Sequence, residues 1–195
     1  MPGEGKTTVA AGLATVAATQ DHQRVLTVDL NWHAPALHTL FGLGLIEAER
    51  LPSRPAGPPP APPKEGKPDE VVLEGAEVLR GLVQPSGLNG LEILSAVDGV
   101  PPGSGGGNVT ELGLGIVQWA RRAYDTVVLD ASSVFPTNRR MMDPVALARA
   151  VDGVILVVLA NVTSRHMVKR ARMMLDAAGA KLLGVVVNQW KNPLA

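Results

Sequence analysis

Gly3-Glu4-Gly5-Lys6-Thr7-Thr8 runs straight into an alanine-rich stretch ending at Thr19, and that junction limits what this chain can fold into more than any other feature. It is the second half of the pattern G-x-x-x-x-G-K-[ST]. Glycines let backbone N–H groups point at phosphate oxygens with no Cβ in the way, and the start of a helix adds partial positive charge. In that reading Gly3, Glu4 and Gly5 form the cradle, and Lys6 reaches the β and γ phosphates of ATP. The Thr7 hydroxyl ligates Mg2+, and Thr8 bonds the α phosphate. A helix-capping turn is the alternative for the pentapeptide alone. Two aspartates weigh against it: Asp29 and Asp130 each close a strand-like run, where the water shell of a magnesium ion would lie. Taken singly, each could instead be a turn or capping aspartate.

Arg24–Leu30, Thr126–Asp130 and Val154–Leu159 are short valine-rich runs ending in polar residues, and they predict buried strands. Lys181–Val187 is a fourth, and Leu91–Leu94 is a fifth that follows the turn-rich Pro85-Ser86-Gly87. Helical spacing marks Thr7–Thr19, Val109–Arg122, Asp143–Ala150 and Ser164–Ala178. Alternating strands and helices predict an α/β fold, a mostly parallel sheet with helices on both faces, because parallel neighbours need a crossover. Ligands of such sheets bind beyond the carboxyl ends of the strands, where Asp29, Asn31, Asp130, Ser132, Asn161 and Asn188 fall.

With 195 residues and 46% hydrophobic content, one domain spanning 1–195 is expected. Half of the chain's 16 prolines lie between Pro52 and Pro68, which marks a disordered insertion at about 50–70. Acidic and basic residues balance at 18 each and aromatics make up 3%, so neither an electrostatic footprint nor a stacking platform for nucleic acid is present. Without cysteine there is no disulfide and no thiolate metal site. The N-terminus lacks the basic start and apolar stretch of a signal peptide, and a cytoplasmic location is expected.

The strand that normally feeds a phosphate loop is not among these residues. In this fold it is central, so two neighbouring strands should keep unpaired backbone groups at about 1–3 kcal/mol each. A fragment, a misplaced start, or another segment in that strand's place is the expectation.

The motifs together resemble the bacterial protein-tyrosine kinases of capsule and exopolysaccharide synthesis, within the MinD/ParA-like P-loop ATPases. Met1–Ala14 (MPGEGKTTVAAGLA) looks like that family's phosphate loop and first helix. Val28–Leu43 (VDLNWHAPALHTLFGL) is similar to its Asp-x-Asp segment and the short helix after it, and Leu88–Pro102 to its strand leading to a Pro-Pro turn. Tyr124–Pro136 (YDTVVLDASSVFP) resembles its Walker B segment, and Val151–Asn188 its strand, threonine, helix and Gly-Val-Val-x-Asn pattern. The resemblance implies transfer of the ATP γ-phosphate to protein tyrosine, with Lys6, Asp29 and Asp130 catalytic. It further implies Thr7, Asp29 and Asp130 at Mg2+, and Asn188 facing adenine. Asp29 would orient or deprotonate the attacking hydroxyl.

The partner it implies is a membrane-embedded polysaccharide co-polymerase or activator protein, holding the chain at the inner face of the membrane; homo-oligomerisation is left open. This chain departs from the pattern at Asn31 in place of the second aspartate, at His33-Ala34 in place of an arginine, and at Ala131-Ser132-Ser133 in place of Thr-Pro-Pro. Asn31 cannot act as a base and adds no charge. A catalytically degenerate structural or regulatory subunit and a MinD/ParA-type positioning ATPase are therefore the alternatives.

Overall fold

The computed structural model describes residues 3–32, 34–44, 80–95, 109–135 and 142–189. The insertion at about 50–70, the loop Gly103–Asn108 and His33 lie outside them. In chain order the elements are α1 Lys6–Thr19, β1 Val25–Asp29, α2 Leu37–Leu40, β2 Gln84–Pro85, β3 Leu91–Leu94, α3 Val109–Ala123, β4 Thr126–Asp130, α4 Pro144–Ala148, β5 Val154–Leu159, α5 Arg165–Ala177 and β6 Leu182–Asn188. The five expected strands are all present, with bounds displaced by at most one residue.

Four strands form a sheet in the order β2-β3-β1-β4. β1 runs parallel to both neighbours, from Val25 opposite Leu91 and Thr126 to Asp29 opposite Asp130. The short β2 pairs antiparallel to β3 at the sheet edge, where Pro85, with no N–H to donate, is tolerated.

Alternation along β1 sends its side chains to two helical layers. Val25, with Leu91, packs on Ala14 and Ala18 of α1, and Ile93 packs on Ala11. On the other face Leu26, Val28 and Leu30 pack with Ile116 and Ala120 of α3 and Leu147 of α4. The alanines of α1 recur at helical spacing and bring its backbone close to the strands; Ala14 is wholly buried. Each fully buried aliphatic side chain such as Leu26 or Ile93 stabilises the fold by roughly 1.5–3 kcal/mol.

β5 and β6 pair in parallel as a separate two-stranded sheet, from Val154 opposite Leu182 to Leu159 opposite Asn188. The ladder is therefore interrupted between β4 and β5. Side-chain bonds span the break instead. Arg121 donates to the Ala150 carbonyl at 3.0 Å and to Asp152 at 2.8 Å, and Thr163 and Asn188 both bond to Glu4.

Candidate nucleotide site

The register of β1 against β4 sets Asp29 and Asp130 side by side at the carboxyl end of the sheet, where α1 begins. Gly3 and Gly5 hold φ values of 81° and 85°. An L side chain in that left-handed region would cost about 1–2 kcal/mol, so glycine is what allows the loop to turn into the helix. At Gly5 a Cβ would also collide with the Asn188 amide. Gly5 is the N-cap of α1 and, as a glycine, supplies no side-chain cap of its own.

Glu4 is buried, and its carboxylate is the hub of the loop. One oxygen pairs with Lys6 Nζ at 3.3 Å, the other accepts from Thr163 Oγ1 at 3.1 Å, and its carbonyl accepts from Asn188 Nδ2 at 3.0 Å. Thr163 Oγ1 in turn accepts from the Leu159 N–H at 3.0 Å, which ties the hub to the end of β5. Asn188 thus joins the loop from the end of β6, on the residue that precedes Gly5. Thr8 is exposed, one turn further along.

Asp130 is 2% exposed, and its Oδ2 has no hydrogen-bond partner. Burial pushes its pKa up to about 6; the Thr7 hydroxyl, which bonds it, pulls the other way, the Asp29 charge adds to the rise and Lys6 opposes it. The last three of these place Thr7, Asp29 and Lys6 around Asp130 as one electrostatic group. An orphaned carboxylate oxygen beside a threonine hydroxyl fits a hard cation that keeps several of its waters. Among the described residues no group of three or more His, Asp or Glu side chains could hold a metal without a ligand's help.

Asp29 has other obligations. Its Oδ1 accepts from the Asn31 N–H at 2.9 Å, and its Oδ2 accepts from the N–H groups of Ala36 and Leu37, both at 3.1 Å. It holds the backbone at Asn31 and the start of α2 at Ala36 and Leu37, the capping task that the sequence left open. Three of roughly four lone-pair directions are taken. Asn31 lies in the same segment, its amide donating to the Ala34 carbonyl at 2.8 Å.

Sequence reasoning missed Thr163 as a site residue, although its place after β5 was a visible signal, and it did not see Glu4 as a clamp. Tyr124, the only tyrosine of the chain, donates to Glu92 at 2.7 Å and meets Trp119 edge-on. Burial first, and then the Glu92 bond, push its pKa up.

A glycine-lined loop feeding a helix, with two strand-end carboxylates beside it, defines a P-loop nucleotide-binding α/β domain. The chain belongs to the CobQ/CobB/MinD/ParA nucleotide binding domain family, whose pattern it matches over residues 2–194. It is 28% identical over 191 residues to the tyrosine-protein kinase YwqD of Bacillus subtilis, covering 96% of this chain and 68% of that protein. The crystal structure of the VpsO kinase domain superposes with a TM-score of 0.69 at 27% identity, covering 97% of this chain and 80% of that one. The septum site-determining protein MinD of Pyrococcus horikoshii, complexed with Mg-ADP, shares the fold with a TM-score of 0.65 at 20% identity, over 100% of this chain and 69% of that one. The chain is thus a P-loop ATPase domain resembling bacterial tyrosine kinases and MinD. No helix among the described residues is long and apolar enough to cross a membrane.

Proposed function

We propose that this chain is an ATP-binding module of a capsule or exopolysaccharide assembly system, working in the cytoplasm against a membrane-embedded polysaccharide co-polymerase or activator protein. Gly3, Glu4, Gly5 and Thr8 hold the phosphates, and Lys6 exchanges the Glu4 carboxylate for the β and γ phosphates. Thr7 and Asp130 hold Mg2+, which when bound neutralises charge on the β and γ phosphate oxygens. Asn188, set against Gly5, borders the adenine. The observation that carries this reading is the partnerless Oδ2 of buried Asp130 beside Thr7, at the mouth of a loop with two left-handed glycines.

For transfer of the γ-phosphate to a protein tyrosine, Asp29 would orient or deprotonate the attacking hydroxyl. A second reading, a nucleotide-binding subunit that transfers no phosphate, is favoured by one specific arrangement. Three backbone N–H groups already occupy the Asp29 oxygens, and Asn31 supplies no second carboxylate.

Calorimetry with ATP and Mg2+ on the chain and on Lys6→Ala tests the site, and phosphate transfer to a tyrosine-containing polymer tests the chemistry. Loss of one charge-assisted phosphate contact should weaken binding about 10- to 100-fold in Lys6→Ala. A folded chain that binds no ATP overturns the proposal, and binding without transfer selects the second reading.

A further inference from the structure

The phosphate loop carries an anion of its own. Glu4 stands between the two left-handed glycines, its side chain is only 9% exposed, and its Oε2 pairs with Lys6 Nζ at 3.3 Å. We infer that this carboxylate is an internal stand-in for phosphate: it engages Lys6 in the nucleotide-free chain, lowers the affinity for ATP, and releases Lys6 because Thr163 keeps hold of it. The inference rests on the nucleotide site proposed above and deepens it, with Glu4 as a built-in competitor and Thr163 as a positioning residue.

The anchoring shows which half of the pair moves. Glu4 is tied to two strand ends outside its own loop. Its carbonyl accepts from Asn188 Nδ2 at 3.0 Å, at the end of β6, and its Oε1 accepts from Thr163 Oγ1 at 3.1 Å, just after β5. The Leu159 N–H donates to the same Oγ1 at 3.0 Å, so the hydroxyl's single proton is directed at Glu4. Lys6, by contrast, has a side chain 25% exposed on a flexible four-carbon stem, and it is the half that can swing.

Electrostatics gives the exchange its direction. A bound triphosphate needs the same ammonium, and Asp130 already feels the charges of both Asp29 and Lys6, so the Glu4 carboxylate adds negative charge where an anion is to be received. The apparent affinity is the intrinsic one scaled by the fraction of molecules whose Lys6 has left Glu4. When Lys6 leaves, a nearly buried carboxylate loses its cation, a change that costs less while a hydroxyl stays bonded to it. Glu4 therefore holds Lys6 back, and Thr163 eases its release.

The test is calorimetric titration of ATP with Mg2+ into the wild type, Glu4→Gln, Thr163→Val, the double variant, Thr163→Ser and Lys6→Ala, each checked for folding by circular dichroism. Glu4→Gln, which keeps the shape and removes the charge, should bind ATP about tenfold more tightly than the wild type, as when about one molecule in ten has Lys6 off Glu4. Thr163→Val should bind about fivefold more weakly, since its bond to a charged oxygen matters most once Lys6 has gone, and Thr163→Ser should restore wild-type affinity. In the Glu4→Gln background the valine should change affinity less than about twofold. A purely structural role for Thr163, whose hydroxyl also takes the Leu159 N–H, would weaken binding equally in both backgrounds and overturn the inference. A wild type that binds ATP and is weakened by Lys6→Ala, beside a Glu4→Gln protein that binds no more tightly, overturns the inference and leaves the nucleotide site standing. Absence of binding in every protein overturns the site and the inference with it. Should Glu4→Gln fail to fold, Glu4→Ala carries the same expectation.

Discussion

Asp130 is a buried carboxylate whose ionisation is opposed by its burial. Desolvation raises its pKa from 3.8 to about 6, so between those values the folded chain holds a proton that the unfolded chain has released. Stability contributed by this group therefore falls as pH rises through that window and levels off once both states are ionised. Lowering the pH from 7.5 to 4.5 should stabilise the wild type relative to Asp130→Asn by about 2 kcal/mol. Urea unfolding of both proteins in EDTA measures that gap, and a gap that stays constant with pH would show that Asp130 is not desolvated. An unpartnered oxygen accords with the Mg2+ site proposed above, since one satisfied by protein donors would have to give them up. Lys6 shows the complementary device: its ammonium rests on Glu4, a carboxylate that is itself held by Thr163.

Elements here are held by their ends as much as by their faces. α2 has only four residues, too short to persist on propensity, and it owes its place to the Asp29 carboxylate at its first N–H groups and to buried Leu37. Asp29→Ala should destabilise the domain by about 3 kcal/mol through the loss of three charge-assisted bonds, and Asp29→Asn, which keeps one accepting oxygen, by about half as much. Chemical denaturation checks both; an Asp29→Ala protein as stable as wild type would assign this carboxylate to chemistry alone. α4 and α5 are tied in the same manner, their caps Asp143 and Ser164 accepting from the N–H groups of Val145 and Met167. At the other edge of the fold, β2 is a two-residue pairing against β3 that no periodicity could announce. It exists because Ile93 and Glu92 offer a free edge to Gln84 and Pro85.

Across the full fold the interrupted ladder predicts an order of unfolding. β1 has hydrogen-bonded neighbours on both sides and is buried throughout, whereas β6 leaves Leu183, Val185 and Val187 between 45% and 60% exposed. Amides of β5 and β6 should exchange at least about tenfold faster than those of β1 in native-state hydrogen exchange, and uniform rates would argue that the two sheets open as one unit. The phosphate loop, the alternating elements and the two strand-end aspartates could all be read from residue order, because short valine-rich runs, helical spacing and a glycine pair obey rules that act over a few positions. What it could not assign were contacts between residues far apart in the chain: Thr163 and Asn188 on Glu4, Arg121 across the break, and the use of Asp29 as a cap rather than an open carboxylate. A side chain's bonding partner is set by which strand ends the sheet brings together, and that is decided only when the layers pack.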